Sequence, residues 1–194
     1  MPEPRLRPAG LAGETPPGDV CRQAQSCLGV HDVRMTYPPR LYHGKEGEIS
    51  ATYRPDGTAP ELVYPNGTRV HYLSTGTSTG GLFGLYRWEC GPDVTGPDPH
   101  FHRSITESFY ILSGTMRIYD GRRWIDAEPG DYVHVPAGGV HGFKNESGAP
   151  VSMLLHFSPG APREGYFEGL VRVAQMSEEE RTAFYREHDN LWLA

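Results

Sequence analysis

The sequence predicts an all-β domain, a sandwich or barrel of short antiparallel strands, and three observations predict it. The 24 glycines and 18 prolines are scattered between short runs rich in Tyr, Val, Ile, Phe and Thr, the punctuation of a domain with many turns. From about Glu48 about nine such runs follow one another. Turn formers separate most of them: Pro-Asn-Gly at 65–67, Ser-Gly at 113–114, Asp-Gly at 120–121 and Pro-Gly at 129–130. Full closure of such a sheet removes exposed edges, which favours a barrel.

The elements follow in chain order. Residues 1–40 hold seven of the 18 prolines and no sustained apolar period, so they are expected to form an irregular N-terminal arm. Residues 41–158 are expected to form the β domain. Its strands are ISATY, TRVHYLS, GLFGLYRWE, ESFYIL, TMRIYD, RRWIDA, DYVHVP, GVHGFKN and VSMLLHF, each a run of β-branched and aromatic residues. Asp120-Gly121 between TMRIY and RRWIDA is a strong hairpin signal. Residues 159–194 change period. In PREGYFEGLVRVA, Phe167, Leu170, Val171 and Ala174 fall at i, i+3, i+4 and i+7 on one helical face. Ser177 with Glu180 three residues later reads as a capping box opening a second helix. Both helices are expected to pack on the outside of the β domain.

A chain of 194 residues suits one substantial domain with appendages. The formal net charge of −6 and the lack of a Lys/Arg cluster argue against a nucleic-acid partner, and a mildly acidic surface serves solubility. Three cysteines, Cys21, Cys27 and Cys90, do not make a secreted disulfide framework, and Cys90 is expected to be an inert buried thiol. The first residues contain no apolar run fit for a signal peptide, and no stretch approaches the roughly 20 apolar residues of a membrane span. A reducing cytoplasm is the expected location, without a membrane partner.

The chemistry is concentrated in two stretches. PDPHFHRSITESFYILSG, residues 97–114, places His100 and His102 one residue apart, on the same side of an extended chain. Glu107 follows, close enough for a reversal to return its carboxylate beside both imidazoles. An HxH pair alone is a common surface feature. The second stretch, GDYVHVPAGGVHGFKN, residues 130–145, brings His141 back inward after a Pro-Gly corner.

Together these stretches resemble the cupin superfamily. The family's first motif, G(X)5HXH(X)3,4E(X)6G, is matched by His100, His102, Glu107 and Gly114. The second, G(X)5PXG(X)2H(X)3N, is matched by Gly130, Pro136, Gly138, His141 and Asn145. One position departs: the leading glycine of the first motif is Val94 here, flanked by Gly91 and Gly96. The resemblance covers residues 68–158. It implies an antiparallel, jelly-roll-like cupin β-barrel holding one divalent metal through His100, His102, Glu107 and His141. Gly114, Gly130 and Gly138 would serve turns and Asn145 a structural hydrogen bond, and the family resemblance implies a homodimer. Imidazole and carboxylate donors suit iron, manganese, nickel, cobalt, copper or zinc, and an oxygenase role puts iron, manganese or nickel first, with zinc, cobalt or copper as alternatives. Four protein ligands leave an octahedral ion two open positions.

Around this set, Phe109 shares the strand parity of Glu107 and Phe143 that of His141. Both are expected near the ion, with core packing as the plainer role. Arg87 is a candidate anchor for an anionic substrate and His156 a candidate cavity residue on the last strand, while His134 reads as a surface or packing histidine. The leading functional expectation is a metal-dependent oxygenase, specifically a dioxygenase-type oxidoreductase in the manner of quercetinase-like cupins. It would act on a small organic molecule with O2, Glu107 doubling as catalytic base. A non-redox isomerase, decarboxylase or polyketide-cyclase-like enzyme, and a non-catalytic small-molecule binder, stay open as alternatives, because this fold hosts many activities.

Overall fold

The computed structural model describes residues 37–193. The chain divides into two units, one ending at Ser50 and one beginning at Ala51. In the first, residues 37–50 contain neither helix nor strand. The rest of the expected N-terminal arm, with Cys21 and Cys27, lies outside the described residues.

In the second unit, strands β1 (Leu62–Val63), β2 (Arg69–Ser74), β3 (Gly84–Cys90), β4 (His100–Phe101), β5 (Thr106–Ser113), β6 (Met116–Tyr119), β7 (Trp124–Ala127), β8 (Tyr132–Val135), β9 (Gly142–Lys144) and β10 (Val151–Ser158) precede two helices. These are α1 (Arg163–Gly169) and α2 (Glu178–Glu187), and a last short strand, β11 (Leu191–Trp192), follows them. All strand pairs are antiparallel. A six-stranded sheet runs β1-β2-β3-β10-β5-β8, a three-stranded sheet β7-β6-β9, and β11 pairs with β4. The first two sheets share one core, as a jelly roll requires: Phe143 of β9 lies 6.2 Å from Trp88 of β3 and 5.7 Å from Phe109 of β5, edge to face.

The strict alternation of β3 and β10 produces that core. Tyr86, Trp88 and Cys90 are buried on one strand, and Val151, Met153, Leu155 and Phe157 on its neighbour. Each large apolar side chain so buried contributes about 1.5–3 kcal/mol. Cys90 sits in this layer as a free thiol, and burial pushes its pKa up to about 11, so it is chemically quiet. At Asp120, the side-chain carboxylate accepts from the backbone N–H of Arg122 and Arg123 and closes the β6–β7 hairpin.

Two expectations need correction. ISATY, residues 49–53, is not a strand. Strand propensity needs a pairing edge to be realised, and the edge beside β2 is taken by Leu62–Val63. A local turn follows instead, in which Arg54 binds Glu61 at 2.7 Å and the Ala59 carbonyl at 3.0 Å. The C-terminal helices also do not both sit as expected. The capping box forms as read, with the Ser177 side chain accepting from Glu180 N–H and the Glu180 carboxylate accepting from Ser177 N–H. The first helix, however, tightens into a 3-10 segment over Leu170–Gln175, which turns Val171 and Ala174 out to solvent. Only its first turns are anchored, and they lie against inward-facing aromatics rather than the outer surface: Phe167 packs 5.0 Å from Tyr86 and 5.4 Å from Trp88.

Candidate metal centre

His100, His102, Glu107 and His141 are all buried, and one potential ligand atom from each lies within 4.8 Å of every other. Three segments converge to do this. His100 opens β4 and is zipped to His141 by two backbone hydrogen bonds, His100 N–H to His141 O at 2.8 Å and His141 N–H to His100 O at 2.9 Å. His102 follows β4, and its carbonyl accepts from Gly138 N–H at 2.6 Å, which joins the two histidine-bearing loops. Glu107 lies on the inward face of β5, between β10 and β8.

The outer nitrogen of every imidazole is held by backbone. The Nδ1–H of His100 donates to Asp98 O at 2.9 Å, that of His141 to Gly139 O at 2.9 Å and that of His102 to Asp189 O at 2.6 Å. A carbonyl oxygen only accepts, so each Nδ1 carries a proton and each Nε2 is the nitrogen left to face a ligand. The Nε2 atoms of His102 and His141 stand 3.1 and 2.8 Å from Glu107 Oε2. Three imidazoles with Nδ1 fixed by backbone, and one carboxylate, are a donor set that fits a divalent transition metal.

The four side chains set one another's charge. Burial is the largest influence on His100 and pulls its pKa down to about 3, with the neighbouring His141 adding to the effect. Burial pushes Glu107 up, but hydrogen bonds to His102 and His141 outweigh it and hold the carboxyl ionised, below its usual range. For His141 burial works downward, while its hydrogen bond and charge attraction to Glu107 prevail and raise it. The result is an ionised carboxylate packed among imidazoles.

Residues 86–157 match the cupin domain family model. That stretch is a cupin domain. The chain is 32% identical over 104 residues to quercetin 2,3-dioxygenase of Bacillus subtilis, a stretch equal to 50% of this chain and 31% of that protein. The chain thus matches less than a third of that relative's length. Among solved structures, a predicted oxalate decarboxylase from Thermotoga maritima superposes with TM-score 0.51 at 17% identity, over 56% of this chain and 99% of that one. KdgF from Halomonas sp. gives 0.46 at 15% identity, over 54% and 88%. The Thermotoga structure speaks for the fold.

The cupin domain's own departure from the motif has a structural explanation. Val94, where the motif expects glycine, is 71% exposed. The close approach occurs two residues later, at Gly96, which has φ +132° and whose Cβ would come within 1.9 Å of Phe143 O, a position open only to glycine. Gly114, Gly130 and Gly138 all have positive φ. Asn145 is fully buried; its Nδ2 donates to Gly91 O at 2.7 Å and Ala149 O at 2.8 Å, and its Oδ1 accepts from Ser147 N–H and Oγ–H.

Beside the centre is a cavity of about 310 Å³, walled in part by His100 and Glu107. Phe143 lines it, while Phe109, 6.0 Å from His141, is packed in the core behind. Arg87 and His156 are not in it. Both lie on the outward face of the six-stranded sheet, because alternation turns Tyr86, Trp88, Leu155 and Phe157 inward and therefore their neighbours outward. Arg87 is engaged there by Asp56 and Glu89, and His156 packs against Phe83. His134 is exposed on the same face, its Nδ1 3.0 Å from Ser108 Oγ.

The cavity also contains residues that strand and motif reading missed: Arg163, Tyr166 and Phe167 from α1, Tyr185 from α2, and Asn190 and Trp192 beyond it. Asp189 ties this C-terminal segment to the histidine loop. Its carboxylate accepts from Arg103 N–H, Ser104 N–H and Ser104 Oγ–H, while its carbonyl holds His102. The available signal was HDNLWL, polar residues and an apolar-aromatic pair directly after a helix.

Proposed function

We propose that the protein is a metal-dependent oxygenase acting on a small organic molecule at His100, His102, Glu107 and His141. The observation that carries this reading is the buried three-histidine, one-glutamate set with every Nδ1 tied to backbone, opening on a closed-in cavity. The likeness to a quercetin 2,3-dioxygenase supports oxygen chemistry over other uses of the fold. A divalent metal bound there, iron, manganese or nickel in first place, supplies a Lewis acid and coordination positions for substrate oxygens. The chain supplies the rest. The carbonyls of Asp98, Gly139 and Asp189 orient the imidazoles, the aromatic walls limit water, and the Glu107 carboxylate is the candidate acceptor of a substrate hydroxyl proton. A homodimeric, cytoplasmic enzyme belongs to the same proposal on the strength of the family resemblance.

The test combines elemental analysis of anaerobically purified protein with oxygen uptake on a panel of enol- and catechol-type compounds. About one redox-capable metal per chain and turnover that stops without O2 are expected. Turnover that persists under anaerobic conditions, or with zinc alone, would assign the site to non-redox chemistry. Tight metal and ligand binding without turnover would make it a binding protein.

A further inference from the structure

We propose that Arg163 and Asn190 form an anion-receiving subsite in the aromatic wall of the metal cavity, selecting a single-ring aromatic molecule that carries a carboxylate or comparable oxyanion. This rests on the cavity being the substrate chamber of the metal centre proposed above.

Arg163 begins α1 and is 4% exposed. Its guanidinium lies over the rings of Phe157, Tyr166 and Phe167, 4.3–5.6 Å from their centroids. Its Nη1–H donates to His188 O at 2.8 Å, and its Nε finds no partner. Among the described residues it makes no ion pair. A guanidinium kept away from water without a carboxylate carries a large desolvation cost, which an incoming anion offsets. Asn190 is 1% exposed, and neither its Oδ1 nor its Nδ2 has a hydrogen-bond partner. Buried amides are almost always satisfied, so the open Nδ2–H of a cavity residue is free to donate to an anion's oxygen, and its Oδ1 to accept from a hydroxyl elsewhere on the same ligand.

The charge balance has the same sense. Three ionisable side chains of fixed charge line the cavity: Asp98, Glu107 and Arg163. Asp98 is largely exposed and paired with Lys144 at 2.9 Å. Glu107 is directed at His102 and His141, so with a divalent ion in place the chamber is net positive. Most of the remaining wall is aromatic, with Trp88, Phe143, Phe157, Tyr166, Phe167 and Trp192, and Leu155 and Leu170 also line it. The volume of about 310 Å³ is at the low end of the roughly 300–1,000 Å³ usual for ligand pockets. That suits one substituted ring better than a polycyclic molecule.

Benzoate and its neutral isostere benzamide test this, titrated into the full-length protein as purified. Tryptophan fluorescence reports binding, since Trp88 and Trp192 line the cavity. Metal content and far-UV circular dichroism are measured on each sample. Benzoate is expected to bind at least about tenfold more tightly than benzamide. Arg163→Gln and Asn190→Asp are each expected to weaken benzoate by about 10- to 100-fold, the usual effect of losing a charged hydrogen bond, and to weaken benzamide much less. Arg163→Lys should recover part of the loss. If Arg163→Gln does not fold, Asn190→Asp decides. Equal binding of the two probes, no binding of either, or unchanged benzoate affinity in a folded variant overturns the subsite. Metal-loaded protein without charge preference defeats this inference alone, and charge preference in protein that never holds metal defeats only the function proposed above.

Discussion

Removing the Asp189 side chain should loosen the metal centre without touching any of its four candidate ligands. Its carboxylate accepts from Arg103 N–H at 2.9 Å, Ser104 N–H at 2.8 Å and Ser104 Oγ–H at 2.6 Å. Those donors lie at an exposed loop where water can replace the carboxylate, so each bond contributes about 0.5–1 kcal/mol and the set about 2 kcal/mol. Asp189 also adopts φ +54°, a left-handed conformation that costs a β-carbon-bearing residue about 1–2 kcal/mol. Asp189→Ala therefore loses about 2 kcal/mol while keeping the strained backbone, and Asp189→Gly loses the same bonds but relieves it. With roughly 2–4 °C per kcal/mol for a domain of this size, Asp189→Ala should melt about 6 °C lower and Asp189→Gly less. Because the Asp189 carbonyl orients His102, metal affinity should fall by about tenfold in both, the lower end for lost ligand support. Scanning calorimetry and competitive chelator titration measure the two quantities. Wild-type melting and metal affinity in Asp189→Ala would refute the idea that this carboxylate clamps the histidine loop.

His100→Ala or Glu107→Ala should lower metal content and activity together while far-UV circular dichroism stays unchanged, and full metal occupancy in a His100/His102 double variant would remove the ligand assignment. Acid should destabilise the metal-free protein: His100 is held from its ordinary value of 6.5 down to about 3, so the unfolded chain takes up the proton first and stability falls as pH drops below about 6.5. Glu107, held ionised, adds to that loss below its ordinary 4.5, whereas the contribution of His141, whose pKa is raised, is lost as pH rises through its folded value. Melting temperature of chelator-stripped protein should thus peak near neutrality, and a His100→Ala variant that keeps the same slope between pH 6.5 and 4.5 would contradict the burial argument. Asn145→Ala should cost about 3 kcal/mol by orphaning the carbonyls of Gly91 and Ala149 and the Ser147 N–H, read as a lower denaturant midpoint with unchanged slope.

Local rules made much of the centre legible in the chain. His100 and His102 share a side because alternate residues of an extended strand do, and Glu107 follows within reach of one reversal, whereas His141 and Asn145 were placed beside them by the family motif and not by a local rule. The capping box at Ser177 and Glu180 is likewise local and formed as read. Where spacing left two answers, packing chose. Alternation required that either Tyr86 and Trp88 or Arg87 face inward, and the aromatic pair went inward because burying rings releases water while burying an unpaired guanidinium costs solvation. The 3.6-residue period after Pro159 identified a helix but not the surface it meets, nor its tightening at Leu170. The sequence by itself determined the fold class and a set of four side chains able to hold a metal. Tertiary structure alone decided what encloses them, because Arg163, Asp189, Asn190 and Trp192 lie tens of residues from the histidine loop, and β11 pairing with β4 across that distance depends on chain closure that no local pattern encodes.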